Sequence, residues 1–166
     1  MKKNLADQIG DLLEQKKFSG YRKRKRNFPI VTENQIEKGA IIYVPIYADE
    51  NFVVRGGYKS SDKWIVIIGF SENEFIAGSL LVNTKPNNFS KELGDIQFPL
   101  SDIDYCFLDY KSWLDCSEIF RIPRSNILKY GGYCGKINDR DWELIWQTIK
   151  ATEFINDEDK ELFGIL

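Results

Sequence analysis

The stretch GGYKSSDKWIVIIGF, residues 56–70, begins as a glycine-rich polar loop and becomes, immediately after Lys63, an unbroken apolar run. WIVIIGF is short, β-branched and aromatic, which marks a strand buried on both faces rather than a helix. Lys63 stands at its mouth. It is either the solubilising end of that strand or a cation placed for chemistry.

Working outward, EFIAGSLLVNT follows after the polar turn Ser71-Glu72-Asn73-Glu74, so the two runs read as an antiparallel hairpin. Upstream, GAIIYVPIY is a further strand, opened by Gly39 and interrupted by Pro45, which suits an edge strand or a bulge. CFLDY and EIFRI supply two more short strands. Short strands with polar connections and no helices between them predict a small, strongly bent antiparallel barrel rather than a parallel α/β sheet.

Helices flank this region. In NDRDWELIWQTIKATEFI, Trp142, Ile145, Trp146 and Ile149 recur on one helical stripe that runs on towards Ile155. Asn138 is its N-cap, and the acids of the first turn match the helix dipole. The two tryptophans read as packing against the barrel, with an interface or an aromatic binding face as the alternatives. At the other end, Leu5, Ile9, Leu12 and Leu13 form the stripe of a short amphipathic helix, followed by Gly20 and the basic run Arg22 to Arg26. That run cannot enter a core; it is a solvated linker or an electrostatic contact with nucleic acid or an acidic partner. The fold class is therefore mainly β with flanking helices, divided into an N-terminal helix and basic arm (1–37) and a barrel domain with its C-terminal helix (38–166).

Composition bounds the chemistry. The 166 residues suit one domain with a proper core. No apolar stretch approaches the roughly 20 residues that span a bilayer, and MKKNLADQIGDLLEQKK carries acids through its apolar positions, unlike a signal peptide. A cytoplasmic protein without membrane contact is expected. Cys106, Cys116 and Cys134 show no CxxC spacing and read as reduced thiols. The chain has no histidine, which excludes Ser-His-Asp, Cys-His and histidine-metal mechanisms. Proton transfer must then use another side chain, or catalysis must rest on electrostatic stabilisation of the transition state. Charge is uneven: residues 1–38 hold ten Lys/Arg against five Asp/Glu, and the remainder is net acidic.

The order of elements, with a glycine-led first strand, a long polar loop, a basic residue opening the second strand and a terminal helix after a Gly-x-Ile turn, resembles the MazF/PemK-like toxin family. The residues that carry the likeness are KGAIIYVPIY (38–47), DKWIVIIGF (62–70), GSLLVNTKPN (78–87) and GKINDRDWELIWQTIKATEFI (135–155). The resemblance implies an SH3-like barrel and an endoribonuclease that cuts single-stranded RNA by attack of the 2′-hydroxyl, with no metal and no cofactor. It also implies a homodimer inhibited by an antitoxin segment.

Carried over by position, the family's Arg-Pro at the opening of the second strand becomes Lys63-Trp64, and its threonine after the third strand becomes Thr84, beside Asn83 and Lys85. Lysine keeps the charge but not the planar fork that suits a phosphate. Lys63 and Thr84 are the catalytic candidates that follow. Arg55 and Lys59, in the loop that borders the RNA groove of the resembling proteins, are candidate substrate contacts, together with Asn83, Lys85 and Trp64, whose indole suits stacking on a base or packing in the core. Asn83 and Thr84 also read as turn formers ahead of Pro86. In FLDYKSWLDCSEIFRIP, Asp109 and Asp115 read as an acid or metal pair, or as local backbone caps; Cys116 lacks a base nearby in sequence. The resemblance sets Asp115 and Ser117 near the barrel mouth, in reach of substrate or antitoxin.

Overall fold

A computed structural model describes residues 28–47 and 60–166. The N-terminal helix, the basic run 22–26, Arg55 and Lys59 lie outside the described residues. Among those described, no helix is long and apolar enough to cross a membrane.

Seven strands make one antiparallel sheet: β1 (Ala40–Tyr47), β2 (Ser60–Phe70), β3 (Ile76–Asn83), β4 (Gln97–Leu100), β5 (Ser112–Asp115), β6 (Phe120–Pro123) and β7 (Gly132–Lys136). The order is β4-β5-β3-β2-β1-β7. The outer edge of β3 is shared, its C-terminal end pairing with β5 and its N-terminal end with β6, and the sheet curls into a half-barrel. The hairpin of β2 and β3 closes where its residues dictate. Ser71 N–H donates to the Ile76 carbonyl, Asn73 Oδ1 accepts from Ser71 Oγ and Phe75 N, and Glu74 takes the left-handed conformation with φ of 60°.

The apolar runs are continuous because both faces of the sheet are covered. Alternate residues of β2 and β3 divide between two cores. Val66, Ile68, Leu80 and Val82 join Ile41 and Leu114 in one. Ile65, Ile67, Ala77 and Leu81 join Ile42, Val44 and Ile46 in the other. Of the four α-helices among the described residues, α1 (Lys91–Asp95) and α2 (Arg124–Tyr130) interrupt the strands, while α3 (Asp139–Ala151) and α4 (Asp157–Leu162) follow them. Ile145 and Ile149 of α3 close the first core with Trp142 and Trp146 packed against it, as the stripe predicts; Ile127 of α2 closes the second.

The first core also receives the C-terminal Phe163, 1% exposed, on a floor of two glycines. Gly69 and Gly78 are paired across β2 and β3, and a β-carbon at Gly78 would stand 2.6 Å from the Phe163 ring. Asn138 caps α3 by accepting from Asp141 N–H at 2.8 Å, as expected. The other end of α3 is met by Lys160, 5% exposed, whose ammonium donates to the carbonyls of Lys150 (2.9 Å) and Thr152 (2.7 Å).

Three expectations are corrected. CFLDY is not a strand: residues 101–110 form successive turns, because Tyr105, Phe107 and Leu108 are pulled together into the first core, a spacing that no extended segment allows. The helical stripe does not reach Ile155, since α3 ends at Ala151 and Thr152 is extended with ψ of 139°. Helices do lie between strands, in the short α1 and α2. Pro45 behaves as read: β7 reaches only to Tyr43, so Pro45 has β2 on one side and no second strand among the described residues, with a bulge at Ile41/Ile42.

Candidate functional site

The helix α2 covers only part of its face of the sheet. Beyond it, towards the open ends of β2 and β3, that face changes from apolar to polar. Lys63 pairs with Val44 of β1, Asn83 pairs with Trp113 of β5, and Trp113 pairs with Pro99 of β4. The β2/β3 ladder ends at Trp64↔Val82, so Lys63 and Asn83 each stand one residue beyond its last pair. Strand alternation puts Lys63, Asn83 and Trp113 on the face that carries Ile65 and Leu81, forming one row across three strands.

The row is wetter than the cores below it. Lys63, Asn83 and Trp113 are half-buried, and Thr84 and Lys85 are exposed in the bend after β3. Lys111 places its ammonium 5.5 Å from the Trp113 ring centroid. Lys111 thus stands over Trp113, while Lys63 and Lys85 belong to the same end of the sheet, on β2 and in the bend after β3. Trp113 and Lys111 are not candidates on sequence grounds, although the alternation Ser112-Trp113-Leu114-Asp115 holds the signal: Ser112 and Leu114 are buried, and Trp113 points to the other face.

Trp64 takes the opposite face. Its ring stands 5.1 Å from Tyr43 and 5.7 Å from Phe107, centre to centre, within an aromatic file that runs from Phe28 to Tyr105. It packs against the first core. Of the Lys63-Trp64 pair, the row therefore contains the lysine alone.

Asp115 is on the side of the row but is engaged locally. Its Oδ1 accepts from Gln97 Nε2 (2.8 Å), Ser117 N (3.0 Å) and Ser117 Oγ (2.6 Å), which fixes the turn after β5. The same Gln97 accepts from Asn87 N at 3.1 Å through its carbonyl oxygen, and so tethers the 84–90 segment to the sheet. Asp109 is exposed, and no group of three or more His, Cys, Asp or Glu among the described residues could hold a metal ion. Cys116 is fully buried; burial, then the charge of Asp115, push its thiol up to about 12, against a weaker opposing hydrogen bond from the Phe98 backbone. Such a thiol is not a nucleophile near neutral pH. None of the three cysteines is in a disulfide.

No family model matches the chain, and no curated protein matches it in sequence.

Proposed function

We propose that the row binds single-stranded RNA, with Lys63 at a phosphate, Trp113 under a base, and Asn83, Thr84 and Lys85 supplying further donors, and that the bound strand is cut by attack of its own 2′-hydroxyl. The observation that carries the binding is the alignment of Lys63, Asn83 and Trp113 on one face, past the edge of the apolar core. A cation beside a polar donor and an aromatic plane is what a flexible, stackable polyanion requires. The cleavage step rests on the resemblance to MazF/PemK-like proteins and on the chemistry of the donors: Lys63 and Thr84 would meet charge developing on a phosphorane without histidine or metal. A second copy of the chain and an antitoxin segment are the partners this reading implies.

A binding module without cleavage is the second reading, favoured by the position of Trp64. Where the resembling proteins have proline after arginine, this chain turns an indole into the opposite core. Incubating pure protein with long single-stranded RNA in chelator decides between the two. Cleavage that disappears in Lys63→Ala supports the nuclease. Intact RNA at protein excess, with salt-sensitive binding retained, supports the module. Absence of binding ends both.

A further inference from the structure

Beside β6, which pairs with the end of β3 remote from the row, the turn that leads into β6 and the turn that leads into α4 line an open groove of about 610 Å³. One wall is apolar, formed by Ile119 and Ile155, with Phe154 standing 48% exposed at the rim. The other carries Glu118, Arg121 and Asp159. Arg121 directs Nε (3.2 Å) and Nη2 (2.6 Å) at a single oxygen of Asp159, Oδ1. That leaves Asp159 Oδ2 with no donor among the described residues, and Glu118 has no hydrogen-bond or ion-pair partner among them either. Phe154 makes no ring contact among the described residues.

Two carboxylates with unused acceptors beside an exposed aromatic ring suit a cation, and one of them, Asp159, already holds the Arg121 guanidinium through a single oxygen. The volume exceeds one side chain and falls in the range of ordinary ligand pockets. Phosphate chemistry does not suit it, because one arginine faces two carboxylates, with Asp157 and Glu158 beginning α4 close by. We propose that this groove docks an arginine-bearing, basic protein segment, whose guanidinium bridges Glu118 and Asp159 while its alkyl stem lies along Phe154. This inference is independent of the RNA reading.

The test is fluorescence anisotropy on the full chain with a labelled tetra-arginine peptide, repeated on Glu118→Gln, Phe154→Ala and the distant surface control Glu72→Gln, with amide chemical shifts recorded on titration. Glu118 and Phe154 are exposed, so unchanged melting temperatures are expected. Binding weakened about two- to fivefold in Glu118→Gln and severalfold in Phe154→Ala, unchanged in Glu72→Gln, and with shifts centred on 117–121 and 154–159, supports the proposal. Absence of binding, equal weakening in Glu72→Gln, or retained affinity in both groove variants overturns it.

Discussion

Tyr105 donates its hydroxyl to Oδ2 of the buried Asp141 at 2.6 Å, joining the turns before β5 to the first turn of α3. Asn138 Nδ2 (3.2 Å) donates to the same oxygen, and Arg140 meets Oδ1 at 3.2 Å, so the carboxylate is taken out of water with donors on both sides. Burial, then the bond to Asp141, hold the Tyr105 hydroxyl well above its ordinary range. Tyr105→Phe is expected to destabilise by about 1–3 kcal/mol, since one donor to a buried charge is lost. The sign of the pH effect follows from the same shift. Folded Tyr105 keeps its proton where the unfolded chain releases it, so stability is lost as pH rises above about 10, and that loss is shallower in the variant. Urea denaturation across alkaline pH checks both outcomes.

Lys160 is a charge used as a helix cap. Its two carbonyl partners, on Lys150 in the last turn of α3 and on Thr152 just past it, lie where the helix leaves its final carbonyls without intrahelical donors. Lys160→Met keeps the stem and removes the donors, and the expected cost is about 2–4 kcal/mol, from unmet carbonyls in a buried position. Hydrogen exchange should rise first at the C-terminal turn of α3. Unchanged stability and unchanged exchange there would remove the capping role.

The strands of the half-barrel were legible because their signal is local. Continuous apolar runs, Gly39, and the Ser71 to Glu74 turn each act within a few residues, as does the N-cap at Asn138. The 101–110 turns were not legible, because Tyr105 is held by Asp141, 36 residues away, and nothing in CFLDY records that partner. The short β4 and β5 were hidden for a related reason: QFPL and SWLD are too brief to show a period, and they become strands by pairing with each other, with β5 joining both to β3. For the site, position along the chain separated Lys63 from Trp64 by nothing, yet alternation sends them to opposite faces. The same rule, applied to SWLD, would have found Trp113.

Gly78 and Ser79 are neighbours on β3 with opposite expectations on substitution. Gly78→Ala pushes a methyl group into the Phe163 ring, at 2.6 Å, and the C-terminal tail must shift or leave, at a cost of about 1–3 kcal/mol. The Ser79 hydroxyl faces the other core, fully buried, with no hydrogen-bond partner among the described residues. Removing it relieves a desolvated polar group without opening much space, so Ser79→Ala is expected to be neutral or to stabilise by about 1 kcal/mol. The thermal melt of Gly78→Ala should fall, and that of Ser79→Ala should hold or rise. A large loss in Ser79→Ala would mean that the hydroxyl has a partner in solution.

The two tryptophans at the mouth of the sheet separate packing from recognition. Trp64 lies in the aromatic file between Tyr43 and Phe107, so Trp64→Ala should cost about 3 kcal/mol of stability through the cavity it opens. Trp113 belongs to the row instead. Trp113→Ala should lower affinity for single-stranded RNA by about 1–3 kcal/mol, the worth of one stacked base, with a smaller change in melting temperature. Lys63→Ala should weaken RNA binding and reduce its salt slope by about one phosphate contact. Anisotropy with a fluorescent oligoribonucleotide over a range of salt concentrations, beside thermal melts of each variant, reads all of these. If Trp113→Ala and Lys63→Ala bind RNA as tightly as the parent chain, the row is only the polar rim of the sheet, and the RNA reading fails with it.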